Sequence, residues 1–172
     1  MKGSYLLIIR LKKDTIIRVG ALGQLSFRGG YYAYSGSALN SLESRISRHL
    51  GDSKKIFWHV DYLLELSQVI SVWTVIHCPK CKARQDVEDC TCDNVRGIAK
   101  PYGIDSAESE KRMECRTANI FSSLCTSVKG FGSSDCSCPS HLFFSQDKEQ
   151  LENIAKSLEY KLLKQELPSF SR

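Results

Sequence analysis

Tyr5-Leu-Leu-Ile-Ile-Arg-Leu11 is apolar at six of seven successive positions. A short, near-continuous apolar run without alternation fits a central β-strand buried on both faces of its sheet. The same run is too short for a signal-peptide core or a membrane span. The expectation is therefore a soluble, cytoplasmic protein with no membrane partner.

The residues after it read as turns and extended segments. Asp14 follows Lys12-Lys13 as a turn, and Thr15-Ile-Ile-Arg-Val19 is β-branched and strand-like. Gly20 and Gly23 break the chain, Gln24–Phe27 continues extended, and Gly29-Gly30 turn it into Tyr31–Ser35. The period then changes. Leu42, Ile46 and Leu50 recur at i, i+4 and i+8, one stripe of an amphipathic helix that Ser41 or Asn40 can cap. At about 100° per residue, His49 and Arg45 fall on one side of that stripe and border the buried face.

A second helix is expected over Trp58–Leu66 and a buried strand over Val69–Ile76. From His77 to Met113 the chain turns polar and cysteine-dotted, an insertion that needs its own reinforcement. Glu114–Leu124 reads as a helix, and a Gly-rich stretch follows it. Asp147–Leu163 then places Leu151, Ile154, Ala155, Leu158 and Leu162 on one face of a docking helix. With 172 residues, the chain suits one domain with one insertion. The expected class is α/β of the α+β type: a small, mainly antiparallel three-stranded sheet flanked by helices, with a cysteine-rich insertion. Its parts are a catalytic core over 1–76, the insertion over 77–113, and the remaining core with its docking helix over 114–172.

Charge is unevenly spread. Residues 1–60 hold ten Lys/Arg against three acids, a balance of +7 that leaves −2 for the rest. Such asymmetry suits a surface that neutralises phosphates. Arg48, Lys54, Lys55 and His59 are candidate nucleic-acid contacts within it. Tyr5, Tyr34, Arg45 and His49 are brought near one another if the strand ends meet at the sheet-to-helix junction. Arginine matches a phosphate with a bidentate fork, while tyrosine and histidine can orient or deprotonate a water.

Gly3-Ser4-Tyr5, Tyr34-Ser35-Gly36-Ser37-Ala38 and Arg45-x-x-x-His49, in that order, resemble the GIY-YIG nuclease superfamily. The interval between the tyrosines, Phe57–Leu64 and Phe131–Phe143 are similar to its Uri-superfamily endonuclease branch. Ser4 and Ser35 stand where that family has isoleucine. The resemblance implies metal-dependent hydrolysis of phosphodiesters in nucleic acid, with DNA the expected substrate and a DNA-repair protein as a partner. It implies that Tyr5 activates or orients the attacking water and that Tyr34 binds near the scissile phosphate. Arg45 would stabilise phosphoryl charge, and His49 would orient the water or polarise a tyrosine. A glutamate from a later helix would hold Mg²⁺ or Mn²⁺. Glu114 is the candidate, with Glu65 and Glu110 as alternatives. His59 would match a further active-site histidine of some members or serve in capping or packing, and Asp135 would be a supporting polar group or part of a turn.

All eight cysteines follow residue 77. Cys78, Cys81, Cys90 and Cys92 supply enough thiols for a tetrahedral structural Zn²⁺ in the insertion, against unligated or oxidised thiols. Cys136, Cys138 and His141 form a second compact set that Cys115 could complete, against ordinary buried cysteines. Two other functions stay open: a nucleic-acid-binding module without turnover, and a zinc-dependent interaction protein acting through its insertion. Oligomeric state is not legible in the sequence.

Overall fold

A computed structural model describes residues 2–51, 55–76 and 106–165, the side chains of 106–112 and 164–165 excepted. Its fold is α+β, as expected. The central strand β1 (Gly3–Leu11) pairs antiparallel with β4 (Gly30–Ala38) on one side and β5 (Gln68–Ile76) on the other. Every residue of β1 except Arg10 is buried. Tyr5, Leu7, Ile9 and Leu11 join one apolar cluster, with Leu42 and Ile46 of α1 (Leu42–Leu50) and Val60 and Leu63 of α2 (His59–Leu64). Leu6 and Ile8 join another, with Met113, Ala118 and Phe121 of α3 (Ser106–Leu124) and Leu151, Ile154 and Ala155 of α4 (Lys148–Ser157). The strand period of two sends alternate side chains to opposite faces, so an unbroken apolar run serves both cores. Each fully buried aliphatic side chain contributes about 1.5–3 kcal/mol relative to an exposed one.

The sheet is larger than the three strands expected. Its order is β6-β7-β4-β1-β5-β8, with β6 (Thr126–Ser127), β7 (Leu142–Ser145) and β8 (Lys161–Gln165) adding its outer strands. These short segments carry too few residues for a period to show, and pairing with a longer neighbour makes them strands. The β2–β3 hairpin (Thr15–Arg18 and Gln24–Phe27) forms a separate two-stranded sheet instead of extending the main one. Ile17, Val19 and Phe27 join the cluster under α1 and α2.

The docking helix is shorter than its apolar stripe suggested. It stops at Ser157, and Glu159 takes φ 63. Tyr160 N–H reaches Ala155 O at 3.1 Å and Glu159 N–H reaches Lys156 O at 3.0 Å, a Schellman closure built without glycine. Leu162 therefore stands on β8, 42% exposed, not on the helix face. At the other helix, Ser41 is the N-cap of α1, accepting from Ser44 N at 3.1 Å. Among the described residues no helix is long and apolar enough to cross a membrane.

Gly36 admits the first tyrosine, and Gly3 the neighbouring strand β5. Tyr5 lies opposite Gly36 in the β1–β4 ladder, and a Cβ on Gly36 would overlap the Tyr5 ring at Cζ and Oη. A Cβ on Gly3 would be driven into the Val75 carbonyl oxygen. Gly36→Ala is expected to lower stability by about 1–3 kcal/mol through overpacking. Denaturant unfolding checks this, and an unchanged midpoint would show that the ring has room to move.

Candidate functional site

The β1–β4 register sets Leu7 opposite Tyr34, two residues along from Tyr5 and on the same face. The two tyrosine rings lie 6.4 Å apart between centroids. On α1, His49 sits one turn beyond Arg45, and its ring is 5.5 Å from Tyr5 and 6.3 Å from Tyr34. The Tyr5 hydroxyl and His49 Nε2 are 2.8 Å apart.

Behind His49 lies Asp61, with Oδ1 3.7 Å from Nδ1. A carboxylate on that side favours the tautomer with the proton on Nδ1, which leaves Nε2 to accept from the Tyr5 O–H. Asp61 is wholly buried. It accepts from Arg48 Nη1 and Nη2 at 3.1 and 2.8 Å, and from the backbone N–H of Phe57 and Trp58 at 3.0 and 2.9 Å. Burial alone would push its carboxyl up. The nearby His49 ring and the hydrogen bonds from Arg48, Trp58 and Phe57 outweigh that and hold it well below the usual carboxylate range.

Burial pushes the Tyr5 phenol well above its ordinary value, and Tyr34 raises it further. Arg45 opposes this, while Glu114 and Asp61 add to it. Tyr34 is likewise raised, first by burial and then by Glu114, against Arg45. Arg45 itself is half-buried, with its guanidinium 4.7 Å from the Trp58 ring centroid.

Glu114 comes from α3, on the far side of the sheet. The β4–β7 ladder ends at Tyr34 opposite Leu142, and just past it Ser37 Oγ donates to Glu114 Oε2 at 2.5 Å. His141 Nδ1 is 2.8 Å from Oε1. Glu114 is thus charge-coupled to both tyrosines and hydrogen-bonded to neither among the described residues. Of the alternatives, Glu65 is exposed at the end of α2, and the Glu110 side chain lies outside the described residues.

The other sequence-level candidates separate. Arg48 was expected to meet nucleic acid, but its guanidinium is engaged by Asp61 and by the Lys55 carbonyl at 2.8 Å. It holds α1 to the start of α2. The Lys55 side chain is exposed, and Lys54 lies outside the described residues. His59 Nδ1 accepts from Gly132 N–H at 3.0 Å, and burial lowers its pKa, so it is neutral with its proton on Nε2. Gly132, at φ 74, fits between Tyr34 and His141, where a Cβ would crowd both. Asp135 is exposed, and its charge adds last among the causes that raise Tyr34. Asp61 had no signal of its own in the sequence. An acid in the first turn of a helix reads as a cap, and its link to His49 exists only in the tertiary structure.

A second cluster adjoins Glu114. Cys115, Cys136, Cys138 and His141 bring four ligand atoms within 4.8 Å of one another, a set that can hold a metal ion. Burial raises the Cys115 and Cys138 thiols above their ordinary values. Cys78, Cys81, Cys90 and Cys92 lie outside the described residues.

Among protein families, the model described as a domain of unknown function, DUF123, matches residues 4–103 and 98–163. No curated protein and no solved structure matches the chain.

Asp61→Ala is expected to lose about 1–3 kcal/mol, because it removes the charged acceptor of Arg48 and of two backbone amides. In the unaltered chain the folded pKa of Asp61 lies below that of a free aspartate. Its contribution is therefore complete above about pH 4 and fades as the pH falls through the folded value. Unfolding curves of both proteins between neutral and acid pH check this: their difference should shrink as the acid limb is entered. A constant difference would mean that Asp61 acts by packing alone.

Proposed function

The chain belongs to the DUF123 family, whose model covers it between residues 4 and 163, and within that family we propose that it is a metal-dependent endonuclease of the GIY-YIG type. The reading is that of the Uri-superfamily branch, acting on DNA in the cytoplasm. The observation that carries it is the 2.8 Å contact between the Tyr5 hydroxyl and His49 Nε2, backed by Asp61. A phenol with so high a pKa gives up its proton at neutral pH only to an acceptor already in place. His49 Nε2 is that acceptor, and the Asp61 carboxylate stabilises the imidazolium that forms, the logic of an acid–base–orienter triad.

Arg45 is the accessible cation beside the two tyrosines, and its planar fork suits the oxygens of a phosphodiester. Tyr34 positions the same phosphate from the neighbouring strand. Phe57, 71% exposed, and Trp58 beside Arg45 offer faces on which bases can stack. The basic excess of the first sixty residues supports a polyanionic substrate. Glu114 fits a hard divalent cation: its carboxylate is 15% exposed, and it keeps acceptor capacity beyond the bonds from Ser37 and His141. When bound, Mg²⁺ or Mn²⁺ supplies neutralisation of charge on the phosphoryl oxygens. A scaffold this small leaves selectivity to an unusual DNA structure or to a repair partner.

One observation favours a second reading. Tyr5 and Tyr34 are only 1% and 6% exposed, as in a nucleic-acid-binding module that keeps the scaffold without turnover. Labelled single-stranded, duplex, flap and bubble DNA, and RNA, incubated with Mg²⁺, Mn²⁺ or EDTA, separate the two. The nuclease reading expects metal-dependent cutting that falls about 10²–10³-fold in Arg45→Ala. Tyr5→Phe should also lose cutting while retaining binding. Salt-sensitive binding with no cutting of any substrate would establish the module instead.

A further inference from the structure

We propose that Cys115, Cys136, Cys138 and His141 form a structural Zn²⁺ site, and that His141 ties this site to the Glu114 carboxylate. The ligands come from two elements. Cys115 stands on α3, and the other three lie in the loop that runs from β6 into β7. Their ligand atoms are gathered within 4.8 Å, so a modest closure reaches tetrahedral coordination, with Zn–S near 2.3 Å and Zn–N near 2.0–2.1 Å. Three thiolates and one imidazole are a closed structural set with no position left for a substrate. Soft sulfur donors favour zinc over Mg²⁺ or Ca²⁺.

The loop is already shaped to present them. Gly130 N–H donates to Pro139 O at 2.8 Å, His141 N–H to Phe131 O at 2.7 Å, and Ser35 N–H to His141 O at 3.0 Å. Gly130 and Gly132 both take φ 74, where a side chain would be strained.

His141 has the orientation of a zinc ligand. Nδ1 faces the Glu114 carboxylate at 2.8 Å, so it carries the proton, and Nε2 presents its lone pair 3.4 Å from Cys136 Sγ. A histidine that donates one ring N–H to a carboxylate while the other nitrogen binds the metal is a standard zinc arrangement. On binding, the three thiols release their protons to solvent and His141 coordinates through the Nε2 lone pair. The zinc then fixes the ring, and the ring fixes one oxygen of Glu114. The assignment is read from bound metal, independently of cleavage. Only the consequence for Glu114 as a catalytic carboxylate rests on the nuclease reading.

The full chain purified without added metal is the material for the test, together with a variant carrying Ser at Cys78, Cys81, Cys90 and Cys92, which isolates this cluster. Elemental analysis should find one zinc per chain in that variant, lost on adding Cys136→Ser. Cobalt in place of zinc should give a thiolate charge-transfer band and tetrahedral d–d bands. Cys138→His, which keeps four ligands, should retain the cobalt with a weaker charge-transfer band, even if Cys136→Ser does not fold. In the unaltered chain, Glu114→Gln should weaken zinc in chelator competition about 10–100-fold. Absence of zinc and of cobalt bands from the four-Ser variant, or a disulfide among Cys115, Cys136 and Cys138 in protein kept reduced, overturns the site. Unchanged zinc affinity in Glu114→Gln overturns the link to Glu114.

Discussion

A single buried carboxylate holds the site together. Asp61 takes hydrogen bonds from both guanidinium nitrogens of Arg48 and from two backbone amides, and its other flank meets His49. An ionised acid with no solvent contact is tolerated only when its acceptor positions are filled, and here they are filled by groups from α1 and from the turn into α2. The relative placement of those two helices, the His49 tautomer and the Tyr5 hydroxyl are all consequences of that one charge. Without it, the buried His49 ring would lose the charge behind it and Arg48 its carboxylate partner.

Much of the architecture was legible because β1 is so simple. An apolar run with no polar alternation has to lie between two layers, and the layers are α1 with α2 and α3 with α4. The helical period of Leu42, Ile46 and Leu50 correctly bordered His49 and Arg45 on the buried stripe of α1. What stayed hidden depended on distance along the chain or on brevity. β6, β7 and β8 are two, four and five residues long, too short for a pattern of their own. Leu162 kept the helical period by coincidence, because local backbone at Glu159 ended the helix first.

The candidate site was legible in part. The order of the Tyr5, Tyr34, Arg45 and His49 motifs placed those side chains on adjoining elements, and the structure brings Tyr5, Tyr34 and His49 into ring contact. Counting charge does not show which cations are paired: Arg48, three residues after Arg45 and equally cationic, is paired with an acid thirteen positions later. Glu114 was named from its order along the chain, and its link to His141 could not have been read there. The pairing joins an element from the middle of the chain to a loop near its end.

β5 and α3 are far apart in sequence, but β5 belongs to the main sheet and α3 packs against it. β5 ends at Ile76, which pairs with Gly3 two residues before Tyr5, and α3 carries Glu114 in its first half. Residues 77–105 join these two elements, from Ile76 of β5 to Ser106 of α3. Closing a longer loop between fixed ends costs only a logarithm of its length. A change in the length of that connection therefore costs the core little and leaves the β1–β5 register as it is.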